Sequence, residues 1–275
     1  MSQPENDEGD LTRKQRREQA RAQRKAAEEA AAASDARRRR LTQLGGAAVV
    51  VIVAVVVILI ATGGGGKAEK HKTLSEAPKV AREVEAELNG IPQKELVLGK
   101  ETAPVTLVYF GDLECPFCRE FTINALPTLV QKYVRAGTLR VEYRNLETAT
   151  HEPEIFHTQQ SAAMAAGKQN KAWYYIELFY HLQQEENSGY VNETFLQKLA
   201  ELTPGLNLAT WQSDRGSSEF QAKIATDEQE ANNLGLTGTP SFLMGRTGGK
   251  LKKFEDDSFT EASSFEGEIE KLAKA

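Results

Sequence analysis

The feature that most constrains this chain is an uncharged stretch between Arg40 and Lys67. Within it, residues 47–61 consist only of Ala, Val, Ile and Leu, and the run starts three residues earlier if Leu44 and the next two glycines are added. A helix of that extended length spans roughly 27 Å, close to the thickness of a hydrocarbon core. Because lipid cannot satisfy backbone groups, we expect one transmembrane helix over residues 41–62.

Two other interpretations of this stretch stay open. A cleaved signal peptide usually has a short basic start, whereas about forty residues precede the apolar run here. A buried core helix usually has a polar face, and this run has none. A signal anchor that stays in the membrane is the interpretation adopted here.

The charge balance predicts the orientation. Residues 1–40 carry 11 basic and 8 acidic residues, and four consecutive arginines adjoin the apolar run. Residues 63–275 carry 23 basic and 31 acidic residues. We therefore expect residues 1–40 to form a charged cytoplasmic tail and the C-terminal part to be extracytoplasmic. Its acidic balance argues against nucleic acid as a partner.

The C-terminal part divides into a linker with a short helix, residues 63–89, and a folded domain, residues 90–275. Strand patterns occupy residues 105–110 and 139–143, with a helix from Pro116 to about Ala136 between them. Helical patterns fill residues 148–234, with Asn192 as a predicted N-cap. A hairpin around Gly248-Gly249 and a last helix follow. The pattern predicts an α/β domain, one mixed sheet with helices on both faces.

The chain has two cysteines, Cys115 and Cys118, placed where a predicted strand ends and a helix begins. The first amides of a helix lack partners and the helix dipole adds positive charge, so a thiolate at Cys115 is stabilised and should be the attacking group. Pro116 suits the first helical position. Cys118, one turn on and more buried, should resolve the mixed disulfide.

Two other roles for the cysteines stay open. Half of a zinc site would need further ligands, and the histidines are His71, His151, His157 and His181. A structural disulfide would enclose only two residues and so would remove little loop entropy. We expect a redox pair with no metal and no cofactor.

The Thr239-Pro240 segment is the second candidate feature. A proline that opens a strand is usually an ordinary trans residue, and a cis bond is uncommon. The local sequence alone favours the trans form.

Three features together resemble the DsbA-like branch of the thioredoxin superfamily. They are the Cys-Pro-Phe-Cys pair that opens a helix, the long helical insertion, and the segment from Gly238 to Phe242 before the hairpin. The resemblance covers about residues 90–275 and implies a thioredoxin-like fold with a helical insertion. It also implies that Pro240 is cis and faces the cysteines, and that the backbone of Thr239 binds an extended substrate segment.

The resemblance further implies an extracytoplasmic thiol–disulfide oxidoreductase, a dithiol oxidase that introduces disulfides into exported proteins. With no third cysteine in the sequence, it implies a separate membrane reoxidase of the DsbB or VKOR type. A disulfide reductase or isomerase of the envelope is the alternative among enzymes. A non-enzymatic binding module or chaperone that kept the fold is the alternative from another class.

One position departs from the family pattern. Many thioredoxin-like proteins carry a buried acid six residues before the first cysteine, and here that residue is Tyr109. Asp112 and Glu114 lie nearer in sequence, and we expect both to be solvated turn residues. If Glu114 faced the sulfur, it would oppose ionisation of Cys115. Glu114, Pro116 and Phe117 are therefore the candidates for tuning the cysteine pKa.

Overall fold

The structure, a computed structural model, describes residues 72–255 and 257–275. Some of the sequence predictions concern residues outside these ranges. They are the charged tail at residues 1–40, the membrane helix at 41–62, the first part of the linker, and His71 as a possible zinc ligand. Within the described ranges, no helix combines the length and the apolar character needed to cross a bilayer.

Six strands form one mixed sheet in the order β1-β2-β4-β3-β5-β6. Their bounds are β1 Gln93–Lys94, β2 Val97–Leu98, β3 Val105–Gly111, β4 Leu139–Asn145, β5 Ser241–Arg246 and β6 Lys252–Phe254. The central strands β3 and β4 are parallel, and β5 pairs antiparallel with β3. Every residue of β3 is buried, as expected for a central strand covered on both faces. The α/β sheet predicted from the sequence is confirmed.

The helix after β3 extends as predicted but is less regular. It consists of α2 Pro116–Glu120, a π-helical segment Phe121–Ala125, α3 Leu126–Leu129 and a second π-helical segment Val130–Val134. The first π-helical segment ends just before Pro127, which has no amide hydrogen to donate. Gly137 ends the helix with a φ of +80°, a conformation that glycine adopts without steric cost.

The remaining helices lie where the sequence pattern places them: one before residue 90, the helices of the insertion within residues 148–234, and the last after the hairpin. They are α1 Ala77–Leu88, α4 Pro153–Lys168, α5 Ala172–Leu182, α6 Glu193–Leu202, α7 Leu208–Asp214, α8 Ser218–Asn233 and α9 Ser263–Lys274. The predicted cap is confirmed, since the Asn192 side chain accepts a hydrogen bond from the Phe195 amide at 3.1 Å. Trp173 and Trp211 are buried, and their indole N–H groups donate to main-chain carbonyls. The insertion therefore has a packed core that joins the core of the sheet.

Candidate active site

Cys115 is the N-cap of α2, with Pro116 at the first helical position. Its extended backbone follows a turn closed by the Cys115 amide, which donates to the Asp112 carbonyl at 3.0 Å. The amides of Phe117 and Cys118 both act on the Cys115 sulfur and favour its thiolate. The sequence prediction of a sulfur at a helix start is confirmed, and Phe117 acts on the Cys115 pKa through its backbone amide.

The two sulfurs have opposite acidities. A hydrogen bond from the Cys118 thiol lowers the pKa of Cys115 to about 7, with further help from the Thr239 side chain and the helix amides and against the effect of burial. Burial raises the pKa of Cys118 well above its usual value. Both residues are thiols in the structure, and Cys118 is fully buried while Cys115 is 3% exposed. The arrangement therefore yields one nucleophile and one protonated partner near neutral pH.

The peptide bond between Thr239 and Pro240 is cis, as the resemblance implies and the local sequence did not indicate. The Cys115 Sγ donates a hydrogen bond to the Thr239 carbonyl oxygen at 3.3 Å. The Thr239 hydroxyl lies 2.5 Å from the hydroxyl of Thr148. The two motifs that stand far apart in the sequence therefore meet at the sulfur.

The expectation that Asp112 is a solvated turn residue is wrong. Its side chain is fully buried, and one carboxylate oxygen accepts hydrogen bonds from the successive amides of Thr148, Ala149 and Thr150 at 2.8–3.1 Å. The Thr150 hydroxyl donates to the other oxygen at 2.7 Å. Asp112 is buried because it satisfies the backbone of the loop after β4.

The same expectation for Glu114 is also wrong. Glu114 is 2% exposed, and its carboxylate accepts a hydrogen bond from the Asn187 amide at 3.1 Å. Burial raises the pKa of Glu114 despite that bond. The main influences on the Cys115 pKa come from Cys118, Thr239 and the helix amides. Glu114 therefore faces a loop of the insertion, and its proposed influence on the Cys115 pKa stays a prediction to be tested.

Tyr109 occupies the position of the family's buried acid. Its hydroxyl donates to the Cys118 carbonyl at 3.4 Å and lies 3.1 Å from the hydroxyl of Tyr180, which in turn donates to the Asp112 carbonyl at 3.1 Å. Burial raises the pKa of Tyr109 well above its usual value, so this group stays neutral. A neutral phenol chain therefore lies beneath the buried cysteine in place of a carboxylate.

The sequence analysis missed Gln183, the residue that follows α5. Its amide nitrogen donates to the carbonyls of Leu113 at 2.8 Å and Cys115 at 3.1 Å. These partners lie 70 and 68 residues away in the chain, so no local pattern could indicate the contact. Gln183 fixes the turn that carries the nucleophile to the helical insertion.

An exposed aromatic residue, Phe117, follows Cys115 two positions along the chain. The Phe117 side chain is 58% exposed, and its ring centroid lies 6.0 Å from that of Phe259 in an edge-to-face arrangement. Exposed aromatic side chains next to a reactive group can contact an apolar segment of another chain. Within the described residues, no group of three neighbouring metal ligands includes either cysteine.

A lowered-pKa cysteine at a helix start, a buried second cysteine and a cis-proline loop against the first sulfur define a protein-disulfide oxidoreductase of the thioredoxin fold, and this chain is one. The chain belongs to the thioredoxin family, whose model matches residues 92–260.

Similar proteins include the probable disulfide bond formation protein D of Bacillus anthracis, which is 26% identical over 166 residues, or 60% of this chain and 75% of the relative. The crystal structure of oxidised BdbD from Bacillus subtilis is 21% identical with a TM-score of 0.56, covering 67% of this chain and 98% of that one. Wolbachia pipientis α-DsbA1 is 21% identical with a TM-score of 0.53, covering 68% and 92%. At these identities, the structural matches establish the fold.

Proposed function

We propose that this protein is an extracytoplasmic dithiol oxidase that introduces disulfides into exported proteins through Cys115 and Cys118. The observation that carries the proposal is the pKa of Cys115, lowered to about 7 by its hydrogen bond with Cys118. A thiolate at this position is both the attacking group and the leaving group of thiol–disulfide exchange. Its pKa does not set the direction of electron flow, because a value near 7 is also that of reducing thioredoxins. The direction proposed here, oxidation of substrate thiols, is supported by the Bacillus relatives, which are named disulfide bond formation proteins.

The reaction begins when a substrate thiolate attacks the Sγ of Cys115 in the Cys115–Cys118 disulfide. The bond between the two cysteines breaks, and Cys118 takes up a proton because burial raises its pKa. A second substrate thiolate then attacks the substrate sulfur of the mixed disulfide, and Cys115 leaves as a thiolate. The substrate loses two electrons and gains a disulfide, and the enzyme pair is reduced. A leaving group of low pKa speeds the second step.

The substrate segment is proposed to lie across the Thr239-Pro240 loop. The Thr239 carbonyl is 3.3 Å from the Cys115 sulfur, so a backbone that bonds to this residue brings its own cysteine to the sulfur. Extended segments bind such edges through main-chain hydrogen bonds, which do not depend on side-chain identity. The exposed Phe117, which packs against Phe259, would provide an apolar contact for the same segment.

Reoxidation is proposed to require a membrane partner. The sequence has two cysteines, so the dithiol form cannot pass its electrons to a second disulfide in the same chain. A membrane reoxidase of the DsbB or VKOR class would accept them. The predicted anchor at residues 41–62 would hold the domain at the surface where such a partner works.

Trapping of substrates tests the proposal. In Cys118→Ala, the mixed disulfide cannot be resolved internally, so adducts between Cys115 and exported proteins should accumulate on non-reducing gels. Cys115→Ala is the matched control and should show none. A binding module that only keeps the fold would give no adducts with either variant, which would refute the enzyme assignment.

The direction of electron flow is tested by the reduction potential of the pair against glutathione. An oxidase is expected near −120 mV, and a value near about −270 mV would support the reductase alternative instead.

A further inference from the structure

A second group of titratable side chains lies away from the thiol site, where α1 packs against α5. Glu177 and His181 are one helical turn apart on α5 and so share one face. Glu87 reaches them from the last turn of α1. One ligand atom from each of the three residues can be chosen so that all lie within 4.8 Å of one another.

Glu177 is the residue that makes this group unusual. Its side chain is fully buried, and within residues 72–255 and 257–275 no group donates a hydrogen bond to either of its oxygens. The His181 Nε2 lies 3.6 Å from Oε2, beyond hydrogen-bond distance. A buried carboxylate without donors costs several kcal/mol if it is charged, so the position requires either a proton or a cation.

The charged groups near Glu177 do not offset the cost of burying its carboxylate. Burial raises the pKa of Glu177 well above its usual value, and the carboxylate of Glu87 raises it further. The Arg135 guanidinium acts on Glu87 and lowers its pKa, but burial has the larger effect there. The Arg135 guanidinium donates its hydrogen bonds to main-chain carbonyls at the end of α1, including that of Asn89 at 3.1 Å. Among the described residues, the charged groups that act on Glu177 and Glu87 are therefore each other and Arg135, with the His181 imidazole 3.6 Å from Glu177.

We propose that Glu87, Glu177 and His181 bind one divalent cation of the zinc class. Calcium and magnesium prefer oxygen ligands alone, whereas zinc accepts imidazole nitrogen together with carboxylate oxygen. Ligands about 2.0–2.1 Å from a tetrahedral ion lie roughly 3.3 Å apart. The 3.6 Å between the His181 nitrogen and the Glu177 oxygen is close to that spacing. A dication balances the two carboxylates, and water would complete the coordination.

The site would join two parts of the domain. α1 precedes the sheet, while α5 ends at Leu182, next to the Gln183 that holds the carbonyls of Leu113 and Cys115. A cation that binds only the folded arrangement stabilises it by mass action. The proposal is independent of the redox activity, because neither cysteine contributes a ligand.

Zinc titration of the detergent-solubilised, metal-stripped full chain tests the site. The protein is used in its oxidised form so that thiolates cannot bind the metal, and calcium is titrated in parallel. Calorimetry should show one zinc per chain, a much weaker response to calcium, and a higher Tm with zinc than with a chelator.

The variants Glu177→Gln and His181→Gln should each lower zinc affinity at least tenfold and abolish the Tm increase. His157→Gln is the matched control, since His157 is a half-buried histidine that pairs with Gln221 elsewhere on the insertion. Circular dichroism of the stripped proteins verifies that each variant is folded. Absence of stoichiometric zinc binding by the wild type, or unchanged affinity in folded Glu177→Gln and His181→Gln, would overturn the proposal and leave a shared proton as the compensation for Glu177.

Discussion

The sulfur of Cys115 donates a hydrogen bond to the carbonyl oxygen of Thr239 at 3.3 Å, across 124 residues of chain. The side chain of the same threonine also favours the Cys115 thiolate. Thr239 therefore contacts both the reactive sulfur and, through its neighbouring cis-proline, the surface where a substrate is proposed to bind. The reactivity of the sulfur and the proposed recognition of substrate are therefore coupled at this residue.

The first prediction concerns pH. With the pKa of Cys115 lowered to about 7, alkylation of the reduced protein by iodoacetamide should rise with pH and reach half its maximum near pH 7. Cys118 should stay unmodified, because it is fully buried and its pKa is raised. Peptide mapping of the alkylated protein locates the label. A midpoint near pH 8.5, the usual pKa of a free cysteine, would show that the pKa of Cys115 is not lowered.

The same pKa makes the stability of the reduced form depend on pH. A pKa that is lower in the folded than in the unfolded state stabilises the fold at high pH, and the contribution is lost as pH falls through about 7. Relative to the oxidised protein, the reduced protein should gain about 1 kcal/mol in unfolding free energy between about pH 7 and pH 8.5. Urea unfolding of both forms measures the difference. No gain in this window would show that Cys115 is not ionised in the folded state.

The third prediction concerns Thr239. The variant Thr239→Val removes the hydroxyl and keeps the shape, so the pKa of Cys115 should rise by a few tenths of a unit or more because the thiolate loses a stabilising contact. Thr148→Val is the matched control, since it removes only the hydroxyl that pairs with Thr239 at 2.5 Å. Ultraviolet absorbance of the thiolate, titrated in the three proteins, measures the shift. An equal shift in both variants would assign the effect to the loop and not to Thr239 itself.

The fourth prediction concerns Glu114, which precedes the nucleophile. Its carboxylate accepts a hydrogen bond from the Asn187 amide, and the groups that set the Cys115 pKa lie elsewhere. Glu114→Gln should therefore leave the thiolate titration unchanged. A downward shift of the Cys115 pKa in this variant would restore the direct electrostatic role that the sequence suggested.

Local features of the fold were predictable because they depend on neighbouring residues. The cap at Asn192, the start of α2 at Pro116 and the buried strand β3 each follow from a few adjacent side chains. The π-helical segments after Glu120 were not, since a local change of register depends on how the helix packs against the sheet.

The candidate site was predictable at its two sulfurs and only partly around them. Asp112 and Glu114 were expected to be solvated because acidic residues near a turn usually are. Both are buried by loops that come from distant parts of the chain, 38 and 73 residues away. The cis form of Pro240 was likewise not indicated by its neighbours, and only the family resemblance pointed to it. Burial that depends on long-range contacts is the part that one sequence does not reveal.

The last prediction concerns Asp112, the buried acid that joins the end of β3 to the loop after β4. Its carboxylate satisfies three consecutive amides and the Thr150 hydroxyl. In Asp112→Ala these buried donors lose their acceptor, so unfolding free energy should fall by about 3 kcal/mol. The unfolding free energy of Asp112→Asn should fall by less, because the oxygen of the new side chain still accepts hydrogen bonds. Its NH2 group cannot accept from the remaining donors. The exposed Asp257, changed to Ala, should alter stability by less than about 0.5 kcal/mol.

The Asp112 variants also test how the loop supports catalysis. Thr148, held by Asp112 through its amide, contacts the Thr239 hydroxyl. A loosened loop should therefore raise KM for a reduced protein substrate more than it lowers kcat, because the cis-proline surface is displaced while the helix amides that stabilise Cys115 stay in place. Oxidation of a reduced peptide at a temperature where all variants are folded measures this split. A loss confined to kcat would mean that Asp112 acts on the sulfur itself and not through the loop.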